Sequence, residues 1–125
     1  MQYQFLVMPV FYYLSSCSTC KKILKTLPLT VNIQQVDIKK NPLDEVQLEQ
    51  LYKLSGSYEA LFSRRAQLYK KRILKDQKLG EKQYKQLLLE HYSFLKRPVL
   101  CYDRHIFIGN SPEVVAAANA FLNEQ

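Results

Sequence analysis

At 125 residues the chain has the length of one domain, because two domains of half this size would each have a marginal core. It is 47% hydrophobic and 23% charged, which excludes intrinsic disorder, and no apolar run approaches the roughly 20 residues of a membrane helix. The apolar opening stretch, residues 1–14, has neither a basic n-region nor a small-residue cleavage site, so we expect no secretory signal. Three cysteines are too few for a disulfide scaffold, and we expect a cytoplasmic, reducing location.

The net charge is +7, from 18 basic and 11 acidic residues. A basic surface suits an oxyanion, an acidic protein or a nucleic acid, and charge alone does not choose among them. Seven of the basic residues lie between Arg64 and Lys78. Neither zinc-finger spacing nor an RNA-recognition motif accompanies this run. A solvated basic face is therefore the simplest interpretation, and we expect no direct nucleic-acid binding.

The first third of the chain predicts a βαβ unit. The apolar run Val10–Leu14 is typical of a buried strand. Apolar residues at helical spacing within Lys21–Leu27 predict a helix, which Pro28 ends. A second strand is predicted at Val31–Ile38. A strand, a helix and a strand within about 30 residues indicate two parallel strands.

The middle of the chain predicts helices. Asn41 as N-cap and Pro42 in the first helical position predict a helix start, and Gly56 predicts its end. The predicted apolar stripe of this helix is Leu43, Val46, Leu51, Tyr52 and Leu54. Two further helices are predicted at Tyr58–Phe62 and Glu81–Tyr92.

The last quarter of the chain returns to strands. Val99–Tyr102 and Ile106–Ile108 are predicted strands, joined by a tight turn at residues 103–105. Ser111 then begins a final helix, Pro112–Asn123.

The order of these elements, βαβ, then helices, then ββα, predicts an α/β protein with a thioredoxin-like fold. We expect a four-stranded mixed sheet and an all-helical insert from about Pro42 to Leu95. We also expect a single domain spanning residues 1–125.

Cys17 and Cys20 form the strongest chemical motif. The sequence Cys17-Ser18-Thr19-Cys20 follows a predicted strand and opens a helix, which is the context of a redox-active C-x-x-C. The free N–H groups and the positive dipole end of that helix favour the Cys17 thiolate. Cys20 lies one helical turn further on, so it can attack an adduct or mixed disulfide on Cys17. We predict that Cys17 is the nucleophile and Cys20 the resolving thiol.

Two alternatives to redox chemistry remain open for this pair. The cysteines can be inert structural residues, or they can be half of a zinc site, which needs about two more ligands. Cys101, His91 and His105 are scattered and form no second pair, so we expect no metal. We expect Cys101, inside a predicted strand, to be buried and both histidines to be exposed.

Several segments match a known family in the same order along the chain. They are Cys17-x-x-Cys20-Lys21-Lys22 after a strand, Ser63-Arg64-Arg65 followed by Tyr69, Arg97-Pro98-Val99-Leu100, and Ile108-Gly109 before the last helix. With these segments the chain resembles the ArsC/Spx family, the arsenate reductase-like proteins, from roughly Pro9 to Leu122. It is most similar to the Spx and YffB-like members, which share its pair of cysteines or its lack of a third arginine.

The resemblance implies a thiol–disulfide oxidoreductase with no bound cofactor, reduced by glutathione and glutaredoxin or by thioredoxin. It implies that Pro98 is a cis-proline facing Cys17. It also implies that Arg65 and Arg97 are catalytic and bind the oxyanion substrate together with Pro98. Family arsenate reductases carry a third arginine just after the last strand, where this chain has Gly109-Asn110. We therefore expect weak arsenate turnover and favour general thiol–disulfide exchange.

The resemblance also implies an alternative, a Spx-like redox-sensing transcriptional regulator. Spx binds the α subunit of RNA polymerase near a glycine of the helical insert. Gly56 lies in that region, with one residue inserted between it and Arg65. A helix end explains Gly56 without a partner. We interpret Arg64 as a solvent-facing charge rather than an extra oxyanion contact.

Overall fold

The structure, a computed structural model, describes residues 7–30 and 32–125. The chain forms two compact units, one of Met1–Asp37 with Arg97–Gln125 and one of Ile38–Lys96. That the whole chain is a single domain stays a prediction. No helix within the described ranges has the length and apolar composition needed to cross a membrane.

The first unit contains the predicted mixed sheet. Its strands are β1 (Val7–Tyr13), β2 (Gln34–Asp37), β3 (Val99–Asp103) and β4 (His105–Ile108). They lie in the order β2-β1-β3-β4, with β1 parallel to β2 and the other two pairs antiparallel. The helices are α1 (Ser18–Thr26) and, at the C-terminal end, α6 (Pro112–Asn123). The α/β architecture and the four-stranded mixed sheet are confirmed.

Two helices cover one face of this sheet. The buried residues Phe11, Ile23, Leu27, Ile33, Leu100, Ala118 and Leu122 form one apolar cluster. Because this cluster draws on β1, β3, α1 and α6, it fixes the position of α1 against the central strand β1. Burial of each large apolar side chain contributes about 1.5–3 kcal/mol to folding.

The second unit is helical, as predicted for the insert. It contains α2 (Glu45–Ser55), α3 (Tyr58–Leu61), α4 (Gln67–Lys71) and α5 (Glu81–Glu90), with 3-10 turns at Leu74–Asp76 and Tyr92–Phe94. Phe62 is at the centre of its core, with ring centroids 5.2 Å from Phe94 and 4.9 Å from Tyr84. Gly56 ends α2 as predicted, with a left-handed φ of 77°.

The predicted start of α2 is wrong by three residues. The N-cap is Asp44 rather than Asn41, because Asp44 and Gln47 form a reciprocal capping box. The Gln47 N–H donates to the Asp44 carboxylate at 2.8 Å, and the Asp44 N–H donates to Gln47 Oε1 at 3.0 Å. The predicted apolar stripe is wrong at Val46, which is 69% exposed, whereas Leu48 is buried.

The starts of the second and the last strand also differ from prediction. The second strand begins at Gln34, because the Ile33 N–H donates to the Thr30 carbonyl at 3.0 Å and the chain is still turning there. Val31, the first residue of the predicted strand, lies outside the described residues. In the hairpin, Tyr102 pairs with His105, so the turn has two central residues and the last strand starts one residue early.

Candidate active site

A tight turn carries Cys17 from the end of β1 to the start of α1. The Cys17 N–H donates to the Leu14 carbonyl at 3.0 Å and closes the turn. The Cys17 carbonyl accepts from the Lys21 N–H at 3.1 Å, the first hydrogen bond of the helix. Cys17 is therefore the N-cap of α1, with extended backbone angles. This placement is the one that the sequence predicts.

The environment of Cys17 favours its thiolate. Partial burial by itself would raise the pKa of Cys17. The N–H and the thiol of Cys20, the N–H of Thr19 and the positive charge of Arg97 outweigh burial and hold the pKa of Cys17 below its ordinary value. The thiol makes no regular capping hydrogen bond. The stabilisation comes from several N–H and S–H dipoles and one charge around a half-exposed sulfur.

Cys20 has the opposite character. It is fully buried, and burial is the main reason that its pKa rises to about 11. The negative charge on Cys17 raises the pKa of Cys20 further, whereas the Leu14 N–H and Arg97 lower it. At neutral pH Cys20 therefore keeps its proton, and Cys17 loses its proton more readily than an ordinary cysteine does.

Arg97 and Pro98 lie at the start of β3. The peptide bond between them is cis, as the resemblance implies. Arg97 is half-buried, Pro98 is buried, and the charge of Arg97 acts on both thiols. Of the predicted site residues, the structure thus brings together Cys17, Cys20 and Arg97, with Pro98 next in the chain.

Arg65 lies in the second unit, in the turn between α3 and α4, and is exposed. Its role at the thiolate stays a prediction. Its neighbour Arg64 is also exposed and donates to Glu59 at 2.6 Å and to the Tyr84 hydroxyl at 3.0 Å. Arg64 therefore has structural partners within its own unit.

The sequence profile of the ArsC family matches residues 12–118, which is most of the chain. The chain belongs to the ArsC family. Solved structures agree with this assignment. A protein from Bacteroides fragilis described as related to the ArsC family is 23% identical, with a TM-score of 0.75 over 90% of this chain and 98% of that one.

Other solved structures have a similar fold. An arsenate reductase from Vibrio cholerae is 23% identical, with a TM-score of 0.72 over 88% of this chain and 96% of that one. A protein from Streptococcus mutans UA159 described as a possible arsenate reductase is 30% identical, with a TM-score of 0.61 over 79% and 87% of the two chains. A search of curated proteins gave no significant match. The ArsC thioredoxin-like fold is thereby confirmed.

In this ArsC chain the segment expected to carry a third arginine lies beside Pro98. The Gly109 N–H donates to the Pro98 carbonyl at 2.8 Å, because the hairpin returns the end of β4 to the start of β3. Gly109 has a φ of 94°, which favours glycine, and Asn110 is exposed. Arg104 lies in the hairpin turn at the other end of β3, about 17 Å of strand away, so it cannot replace the missing arginine.

The remaining candidates have structural explanations. Cys101 is buried in β3, as predicted, and burial raises its pKa to about 12. His105 is exposed, as predicted, and lies against Phe121. The prediction that His91 is exposed is wrong: it is half-buried against Tyr92 and Phe94, and its ring accepts from the Ser93 N–H. Within residues 7–30 and 32–125, no group of three or more His, Cys, Asp or Glu side chains is placed to hold a metal ion.

Two polar residues next to the cysteine turn, Ser15 and Asp37, were not predicted from the sequence. Asp37, at the end of β2, is buried, and its carboxylate accepts from the Ser15 hydroxyl at 2.5 Å. The signal available was a charged residue between Val36 and Ile38 in a strand predicted to be parallel to β1. Parallel strands end at the same edge of a sheet, so this carboxylate had to lie near the cysteine turn.

Proposed function

We propose that this protein is a thiol–disulfide oxidoreductase of the arsenate reductase-like kind, with Cys17 as nucleophile and Cys20 as resolving thiol. The observation that carries the proposal is the opposite shift of the two pKa values at the start of α1. A lowered pKa increases the fraction of Cys17 that is present as the attacking thiolate, and a raised pKa keeps Cys20 protonated during the first step.

The proposed reaction with a disulfide substrate has two steps. The Cys17 thiolate attacks one substrate sulfur, forms a mixed disulfide and expels the other sulfur as a thiolate. Cys20 then transfers its proton to a leaving thiolate, attacks the Cys17 sulfur and expels the second half of the substrate. The substrate gains two electrons, and the Cys17–Cys20 pair is oxidised to a disulfide.

The first step also prepares Cys20 for the second step. While Cys17 is a thiolate, its negative charge helps to keep Cys20 protonated. Formation of the mixed disulfide removes that charge, so one cause of the raised pKa of Cys20 disappears and Cys20 gives up its proton more readily. The order of the two steps follows from the electrostatics of the pair.

The same site suits an oxyanion. The N–H groups at the start of α1 and the Arg97 guanidinium provide donors and positive charge, and we propose that Arg65 adds a second guanidinium. Without an arginine at position 109 or 110, we expect arsenate to be a poor substrate compared with a small disulfide.

We propose glutaredoxin with glutathione, or thioredoxin, as the reductant and protein partner of this pair, in the cytoplasm. A dithiol of either protein returns two electrons to the Cys17–Cys20 disulfide. Binding to the RNA polymerase α subunit has less support, because the left-handed helix end accounts for Gly56.

The test is a coupled NADPH-oxidation assay with each reductant system, using hydroxyethyl disulfide and arsenate in turn. We expect Cys17→Ser to abolish turnover and Cys20→Ser to accumulate a mixed disulfide that mass spectrometry detects. Cys101→Ala is the matched control and should retain turnover. Full turnover by the Cys17→Ser variant would show that the proposed nucleophile is wrong.

A further inference from the structure

Among the described residues, Asp37 is the one charged side chain that is buried, with an exposed fraction of 7%. It ends β2 and pairs in parallel register with Tyr13, the last residue of β1. The cysteine turn leaves the sheet directly after that residue. The Asp37 carboxylate is therefore held at the edge of the sheet from which the turn emerges.

Both oxygens of this carboxylate contact one residue of the turn. Asp37 Oδ2 accepts from the Ser15 hydroxyl at 2.5 Å, and Oδ1 accepts from the Ser15 N–H at 3.4 Å. Ser15 is a central residue of the turn that the Cys17 N–H closes on the Leu14 carbonyl. The carboxylate thus fixes the backbone two residues before the reactive sulfur.

We propose that Asp37 is a positioning residue for Cys17 and acts through Ser15, an inference that rests on the proposed role of Cys17 as nucleophile. The thiolate is stabilised by N–H groups at the start of α1, and such dipoles act only over short distances and in the right direction. A turn held by two hydrogen bonds keeps the sulfur in that arrangement.

The proposal predicts that removal of Asp37 changes the reactivity of Cys17 in the opposite direction from a simple charge effect. A carboxylate that acted only as a nearby negative charge would destabilise the thiolate, so its removal would make Cys17 more reactive. Removal of a carboxylate that positions the turn makes Cys17 less reactive, because the sulfur is displaced from its N–H donors. Arg97 and Cys20 are the charged and titratable groups that act on Cys17, and neither is substituted in this comparison.

The experiment measures the rate of Cys17 alkylation by iodoacetamide against pH, with the modified peptide identified by mass spectrometry. The variants are Asp37→Ala, Ser15→Ala, Ser15→Thr and the double variant Asp37→Ala/Ser15→Ala. Ser57→Ala is the matched control, because it removes one helix-capping hydrogen bond in the second unit. Thermal unfolding of each variant reports its stability.

We expect Asp37→Ala and Ser15→Ala each to slow alkylation at pH 7 by about threefold to tenfold, with the pH profile displaced upward. The double variant should be no slower than the slower single variant, because the two residues act as one unit. Ser15→Thr, which keeps a hydroxyl, should have the wild-type alkylation rate. Ser57→Ala should lose stability without a change in alkylation rate.

Equal or faster alkylation of Asp37→Ala would overturn the proposal, and so would an unchanged rate in Ser15→Ala. If Asp37→Ala does not fold, the two Ser15 variants decide. A wild-type Cys17 with the reactivity of an ordinary thiol and no turnover would refute the proposed function instead. The change in alkylation rate between variants is measured independently of turnover. Failure of the positioning proposal is therefore distinguishable from failure of the proposed function.

Discussion

Cys17 and Cys20 differ in acidity because one helical turn separates two different environments. The sulfur of Cys17 precedes the helix, where unpaired N–H groups lie, and it is partly open to solvent. The sulfur of Cys20 lies within the first turn and is fully buried. Arg97 adds a positive charge near both sulfurs.

Replacement of Arg97 tests how much that charge contributes. We expect Arg97→Ala to raise the pKa of Cys17 and to slow its alkylation at pH 7 by about threefold or more. Binding of sulfate or phosphate at the site should weaken as well. Lys25→Ala is the control, because it removes a cation from the last turn of the same helix. An unchanged pH profile in Arg97→Ala would show that the N–H groups alone hold the thiolate.

The absent third arginine can be restored by a single substitution. Asn110 is exposed and follows Gly109, which is hydrogen-bonded to Pro98, so Asn110→Arg places a guanidinium at this end of the sheet. We expect kcat/KM for arsenate to rise about tenfold or more, as for one charge-assisted hydrogen bond. Activity with hydroxyethyl disulfide should change little. Asn110→Gln is the neutral control, and an equal gain there would argue against oxyanion binding.

At the scale of elements, the predictions from sequence were accurate where a side chain or turn residue determines the boundary locally. Ser111 and Pro112 specify the start of α6, and the structure has its bounds as predicted. At α2 two start signals lie three residues apart, and the reciprocal Asp44–Gln47 bonds determine which is used. Pattern alone does not rank two such competing caps.

The end of α2 provides a test of local backbone strain. Gly56 has a φ of 77°, and a Cβ at this position would have no atom within 4 Å. Gly56→Ala should therefore lower the free energy of unfolding by about 1 kcal/mol, from backbone strain alone. Gly56→Asn should lose less, because asparagine tolerates this conformation better. Urea unfolding of the wild-type protein and the two variants measures these differences. A Gly56→Ala variant as stable as the wild type would contradict the left-handed conformation of Gly56.

At the scale of the whole molecule, the order of strands and helices could be predicted because each strand or helix is specified by a short stretch of sequence. Cys17 and Cys20 were predicted from a motif between a strand and a helix, and Arg97 and Pro98 from the family resemblance. The structure places the cysteines at the start of α1 and Arg97-Pro98 directly before β3. The place of Arg65 relative to Cys17 could not be fixed in this way. Arg65 lies within the helical insert, and sequence spacing does not determine its distance from residues of the first unit.

The buried thiols make the stability of the whole chain sensitive to alkaline pH. Burial raises the pKa of Cys20 to about 11 and that of Cys101 to about 12, against about 8.5 in an unfolded chain. Between pH 8.5 and 11 the native state therefore holds protons that the unfolded state has lost, and the free energy of unfolding falls as pH rises. Each thiol adds a slope of up to about 1.4 kcal/mol per pH unit.

Urea unfolding at pH 7.5 and at pH 10, with a thiol reductant present, measures this loss. Cys101→Ala is the matched variant, because it removes one of the two buried thiols and leaves every other ionisable side chain in place. We expect the variant to be less stable at pH 7.5, since it loses buried contacts, but to lose less stability on going to pH 10. Parallel losses in the two proteins would show that Cys101 ionises as readily in the native state as in the unfolded chain.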